Sequence, residues 1–231
     1  MSRSPSHKKN HQETAAIASG GGFSWLIFSP MALFACLLTL LLSGAVDYSS
    51  LDLDQTTPAL PAPPAQRKVA PLFTREVQYW AEDIGRWSEE YGVDPNLIAT
   101  VMQIESCGDP LALSRAGAQG LFQVMPFHFQ PGEQAFQPEI NALRGINYLG
   151  AMLTEFGTAR LALAAYNGGP GTAGRLEWGW PEETQRYVYW GEGIYKDAVR
   201  DNSESARLAE WLRAGGASLC QQANLRLKLK P

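Results

Sequence analysis

The sequence predicts a mainly α protein, with one helical domain behind an N-terminal membrane segment. Three observations carry this. After about residue 74, apolar residues recur at three- and four-residue steps, and alternating strand patterns are scarce. Residues 23–46 form an uncharged run long enough to cross a bilayer, which takes about 20 apolar residues. Residues 47–71 between them are rich in proline, with Pro58, Pro61, Pro63, Pro64 and Pro71. A length of 231 residues allows one or two domains.

Residues 1–22 are polar and read as a disordered cytoplasmic tail. Arg3, Lys8 and Lys9 precede the apolar run and Asp47, Asp52 and Asp54 follow it. Positive charge stays on the cytoplasmic side, so the rest of the chain is expected outside. The run itself has two readings. Uncut, it is a single-pass signal-anchor. Alternatively, Pro30 leaves Met31 to Leu42 as a short apolar core, and Ser43-Gly44-Ala45 resembles a signal-peptide cleavage site. Either way, residues 47–231 belong to the cell envelope or beyond. The prolines of residues 47–71 keep that stretch extended as a semi-rigid linker.

Residues 72–225 are expected to form the domain. Val77, Trp80, Ala81, Ile84, Trp87 and Tyr91 mark a first helix from about Thr74, stopped by Gly92. Asp94 followed by Pro95 is an N-cap and first helical position, opening a second helix to about Glu105. A third spans about Pro138 to Phe156, stopped by Gly157. Thr158 caps a fourth through Tyr166. A fifth runs from about Pro181 toward Val199, made uneven by Gly191 and Gly193. A sixth covers about Glu204 to Leu212 and ends before Gly215-Gly216. Residues 226–231 are left as a basic tail, disordered or touching an anionic envelope polymer.

Ile98, Val101 and Met102 form an apolar face on the second helix, and the next position on that face is Glu105. Burial and the helix C-terminus both disfavour its charged form. A carboxyl kept protonated near neutral pH can protonate a glycosidic oxygen. The plainer alternative is a solvated glutamate at a frayed helix end. Around it in sequence lie glycine-rich turns (Gly117, Gly120, Gly168, Gly169, Gly171), the neutral groups of Gln123, Tyr166 and Asn167, and the flat faces of Trp178, Trp180, Tyr187, Tyr189 and Trp190. Such a set suits a neutral polymer such as glycan, although many of these aromatics also read as core.

Composition excludes other classes. A formal charge of −4 and a pI near 5.4 argue against nucleic acid as a partner. No Gly-rich phosphate loop is present, which argues against nucleotides. Three histidines, two of them His7 and His11, and three cysteines are too few for a multi-histidine or four-cysteine metal centre. No cofactor or metal is expected.

Four stretches then carry a family resemblance: Glu105-Ser106 with Asp109-Pro110, Ser114 to Pro126 (SRAGAQGLFQVMP), Ala165 to Gly171 (AYNGGPG), and Glu183-Thr184 with Tyr187-Val188. In order and spacing they resemble the catalytic domain of soluble lytic transglycosylases, over about residues 75–200. The resemblance implies a lysozyme-like fold (goose-type lysozyme/lytic transglycosylase) and cleavage of the N-acetylmuramic acid–N-acetylglucosamine bond of peptidoglycan glycan strands. It implies a 1,6-anhydro product, formed by the sugar's own C6 hydroxyl, with one glutamate as acid and then base. Glu105 matches that glutamate. Ser114, Gln123, Met125, Tyr166, Asn167 and Tyr187 match substrate-groove positions. Phe122 stands where a methionine is common, and Cys107 where a small residue is usual.

Candidates for a second carboxylate are Asp109, Glu133 and Glu183, each with a structural reading as turn, loop or first-turn residue. Two other readings therefore stay open: a lysozyme-type hydrolase, and a non-catalytic glycan-binding scaffold. Cys107 and Cys220 both fall outside the cytoplasm, where disulfides persist, and are expected to pair. A cysteine-peptidase pairing of Cys107 with His128 is disfavoured, because Cys107 follows a helix C-terminus, the wrong end to stabilise a thiolate.

Overall fold

The computed structural model describes residues 68–230. Its elements are α1 (Arg75–Gln78), α2 (Ala81–Tyr91), α3 (Pro95–Glu105), α4 (Pro138–Phe156), α5 (Ala159–Gly168), α6 (Pro170–Ala173), α7 (Glu182–Val199), α8 (Ala206–Trp211) and α9 (Ala217–Leu227). Tight 3₁₀ turns occupy Pro126–His128 and Glu177–Gly179, and Leu212–Gly216 forms a wider turn between α8 and α9. The β structure among the described residues is two isolated bridges, Leu113–Gln119 and Gln119–Val124. The predicted membrane segment at 23–46, the tail 1–22 and linker residues 47–67 lie outside the described residues. Among those described, no helix is long and apolar enough to cross a membrane.

The core is built around α3, in which every residue from Pro95 to Gln103 is buried. The Asp94 side chain accepts a hydrogen bond from the Asn96 N–H at 2.9 Å, which caps the helix, and Pro95 fixes its first turn. The helices α1, α2 and α7 pack against α3, and α5 is sandwiched between α4 and α7. Gly191 sets how closely α7 approaches: an added Cβ would lie 3.1 Å from Leu163 Cδ1 and 3.4 Å from Ile104 Cδ1. That contact explains a glycine inside a continuous helix, where it would otherwise cost about 1 kcal/mol.

Three boundaries differ from the sequence reading. The first predicted helix is broken at Tyr79–Trp80, because Trp80 turns inward and donates its indole N–H to the Gly108 carbonyl at 2.9 Å. The folded body also starts earlier than residue 72. Ala70 is buried and donates its N–H to Asn96 Oδ1 at 2.8 Å. Finally, Ala217–Leu227 is a helix with no predicted counterpart, and it takes in the start of the expected basic tail. Its polar residues (Ser218, Gln221, Gln222, Asn224) blur any apolar stripe. It is held on α1 and on the turn after α3 by specific ties: Asn224 Nδ2 donates to the buried Glu76 carboxylate at 3.0 Å, and Cys220 is disulfide-bonded to Cys107, with Cα atoms 4.9 Å apart.

Candidate active site

Glu105 is the last residue of α3, and the chain turns sharply after it. Ser106 is buried, and its hydroxyl donates to the Leu121 carbonyl at 2.7 Å while accepting the Gly108 N–H at 3.1 Å. Cys107 takes a positive φ of 53° and is tied to Cys220. The end of α3 is thereby fixed both to the 118–125 loop and to the C-terminal helix.

That loop is assembled by side chains. Asn141, fully buried on α4, accepts the Phe122 N–H at 2.8 Å and donates to the carbonyls of Gln119 and Ala135 at 2.8 and 2.9 Å. The Phe122 ring then packs into the core edge-on against Trp87, with centroids 6.0 Å apart. Gly120 has φ +73°, and a Cβ there would sit 2.4 Å from Asn141 Nδ2. Gly120→Ala is expected to destabilise the fold by about 2–4 kcal/mol, combining αL strain with displacement of Asn141. Urea unfolding of the variant measures this.

Glu105 sits among groups that keep its proton on. Burial comes first and pushes its pKa up, and the nearby charge of Glu183 adds to this. The Tyr187 hydroxyl, which stabilises the carboxylate, opposes them, and the result is about 8. The residue as a whole is nonetheless only half-buried, so Glu105 lies at the edge of the core and not inside it. The Tyr187 hydroxyl is buried, has no well-formed hydrogen-bond partner and lies close enough to act on Glu105. The hydroxyls of Tyr166 and Tyr187 are both held well above the usual tyrosine range, first by burial and then by the Glu105 charge. Glu105, Tyr166 and Tyr187 therefore lie within electrostatic range of one another.

Apart from Tyr187, most of the predicted groove residues also tie elements of the fold together. Tyr166 donates its hydroxyl to the Phe122 carbonyl at 2.7 Å, joining α5 to the loop. Asn167 accepts from the Thr184 hydroxyl at 2.8 Å, joining α5 to α7. Gln123, at φ 46°, donates its amide back to the carbonyls of Gly120 and Ala112. Ser114 accepts the Ala118 N–H at 2.9 Å, closing its own turn. Met125 is half-buried and precedes the Pro126–His128 turn. Ser114 and Gln123 thus spend hydrogen-bonding capacity on the loop.

Two of the three candidate second carboxylates are committed elsewhere. Glu133 receives a two-pronged hydrogen bond from Arg144 and the Gln130 N–H, and the arginine holds its pKa down. Asp109 is buried and accepts the Leu111 N–H at 2.9 Å, a turn role. Glu183 is exposed on the first turn of α7 and acts electrostatically on Glu105. Cys107 is bonded to Cys220, so it has no thiol to pair with His128, which instead packs between Phe127 and Tyr148. Glu76, Cys107 and Cys220 bring ligand-type atoms within 4.8 Å of one another, but both sulfurs are used in the disulfide. Asn141 and Ser106 were not singled out as site residues. A polar side chain on the buried stripe of α4 was the available signal for Asn141.

Residues 82–180 match the family profile described as "Transglycosylase SLT domain". A "Transglycosylase" of Enterobacteria phage PRD1 is 37% identical over 110 residues, covering 47% of this chain and 40% of that protein. "Membrane-bound lytic murein transglycosylase C" of Edwardsiella ictaluri is 33% identical over 114 residues, covering 40% of this chain and 32% of that protein. The chain therefore spans less than half the length of these relatives. A crystal structure of an inactive mutant of the lytic transglycosylase Slt from Pseudomonas aeruginosa aligns with TM-score 0.43 and 25% identity, over 52% of this chain and 24% of that one. Residues 82–180, which include Glu105 and the loop that braces it, are thus similar to transglycosylase SLT domains.

Proposed function

We propose that the chain is a peptidoglycan lytic transglycosylase. Glu105 protonates the glycosidic oxygen between N-acetylmuramic acid and N-acetylglucosamine, and the C1–O bond breaks. The C6 hydroxyl of the same muramic acid bonds to C1, and its proton passes to the Glu105 carboxylate. A 1,6-anhydro end results, no water is consumed, and Glu105 is protonated again for the next turn. The observation that carries this reading is Glu105 itself, a carboxyl pushed up to about 8 on a residue that is only half-buried. An internal hydroxyl is already held near C1, so a second carboxylate is not needed to position water. Ser114, Gln123, Met125, Tyr166, Asn167 and Tyr187 would line or brace the groove. The chain would act outside the cytoplasm, held by residues 23–46 if that segment stays uncut. The Cys107–Cys220 disulfide supports an oxidising compartment.

Glu183 favours one competing reading. It is exposed, lies within electrostatic range of Glu105, and could activate a water, which would make the enzyme a hydrolase. Product mass separates the two. The full-length chain is incubated with purified peptidoglycan and the released fragments are weighed, with Glu105→Gln as control. Fragments lighter by one water than reducing muropeptides are expected. Fully hydrated fragments would move the assignment to the hydrolase, and no release from either protein would leave the chain without this activity.

A further inference from the structure

A row of rings leads outward from the candidate site. Tyr166 and Tyr148 have centroids 5.5 Å apart, Tyr148 and His128 4.8 Å, and His128 and Phe127 4.5 Å, each pair tilted by 42–50°. The inner end is anchored: Tyr166 bonds to the Phe122 carbonyl, and the Tyr148 hydroxyl donates to the Ala165 carbonyl at 3.2 Å. The outer end is not. Phe127 stands 75% exposed on the Pro126–His128 turn. Pro126 stiffens that turn, so the phenyl ring is presented from a constrained backbone.

A ring left so exposed does nothing for the core, and its continuity with the rings beside Glu105 gives it a direction. The row carries no fixed charge. His128 is partly buried, and burial holds its pKa below the ordinary histidine value, which keeps it neutral near pH 7. Tilted, uncharged aromatic faces match the C–H faces of pyranose rings, while the His128 nitrogens remain for hydroxyl or acetamido groups.

We propose that Phe127, His128 and Tyr148 form an outer subsite that holds a further N-acetylhexosamine unit of a glycan strand, beyond the units contacted at Glu105. The subsite makes the enzyme favour long strands over short ones, and Phe127 is its specificity-determining residue. This rests on the reading of the Glu105 site as a glycan cleft.

The test uses the full-length chain carrying Glu105→Gln, with short and long β-1,4-linked N-acetylglucosamine oligomers as probes in calorimetry. The long oligomer is expected to bind more tightly than the short one. Adding Phe127→Ala is expected to weaken the long oligomer roughly five- to tenfold, about the worth of one removed aromatic contact, and to bring the two affinities together. Phe127→Trp restores the difference. A Phe127→Ala protein that still prefers the long oligomer, or that loses both equally, overturns the subsite while the cleft reading stands. A Glu105→Gln chain that binds neither oligomer overturns the cleft reading and the subsite with it. Self-association of the parent chain that Phe127→Ala dissolves, with glycan affinity unchanged, reassigns the ring to a protein contact and also overturns the proposal.

Discussion

Glu105→Gln is expected to lower glycan cleavage by at least about a thousandfold, because in the proposed mechanism one carboxyl serves as both acid and base and the amide can do neither. The fold should survive. The amide is close in shape to the protonated carboxyl that the site already favours. Two pH experiments follow from the raised pKa of about 8. Cleavage by the parent chain should fall as pH rises through about 8, as the acid form of Glu105 is lost. Stability carries the opposite lesson for the variant. In the folded chain Glu105 holds its proton up to about 8, while in the unfolded chain it releases it near the ordinary value of 4.5. Between those values the folded state binds more protons, so the parent loses stability as pH rises across that window. Below it the contribution is fully present, and above it the loss is complete. Glutamine does not titrate, so Glu105→Gln should melt at a similar temperature near pH 4.5 and progressively higher than the parent toward pH 8. A variant that melts lower than the parent at pH 8 would mean that the carboxylate is stabilised where it sits, and that burial does not govern its titration.

The parts of this site that were legible in the sequence are those set by local rules. Asp94-Pro95, Gly157 and Thr158 mark helix ends by capping chemistry, and each lies at a helix end in the structure. Glu105 was visible because an apolar stripe ended in a carboxylate. What sequence could not supply is where a side chain spends its hydrogen bonds. Ser114 and Gln123 belong to a recognisable motif, yet their polar groups close the loop on itself. The break at Tyr79–Trp80 depends on a bond from Trp80 to Gly108, 28 residues away. Periodicity in a short window carries no information about that contact. The same holds for α9, whose weak apolar pattern is compensated by partners as distant in sequence as Cys107 and Glu76.

The tie between α9 and the end of α3 makes the second large prediction. Cys107 and Cys220 are separated by 113 positions, so their bond closes most of the domain into one loop. In the chain-entropy view, a cross-link over a loop of this size stabilises by up to about 4–5 kcal/mol, by restricting the unfolded chain. For a domain of this size that corresponds to a fall in melting temperature of roughly 10 °C or more on removing it. The double variant Cys107→Ser/Cys220→Ser is the cleaner test, because a single change leaves one sulfur beside Gln103 and Glu76 without its partner. The parent should lose melting temperature in reductant, and the double variant should be low with or without it. Hydrogen exchange locates the effect. With the bond gone, α9 is left with its apolar packing, the Asn224–Glu76 hydrogen bond and a long Arg226–Asp109 pair whose arginine is half exposed, so residues 217–227 should lose protection before α3 does. Cys107 lies two positions after Glu105 in a left-handed backbone conformation, so release of α9 should also loosen the turn that aims the acid. If reductant leaves both the melting temperature and the protection of 217–227 unchanged, packing alone holds the helix and the covalent tie adds nothing to the fold.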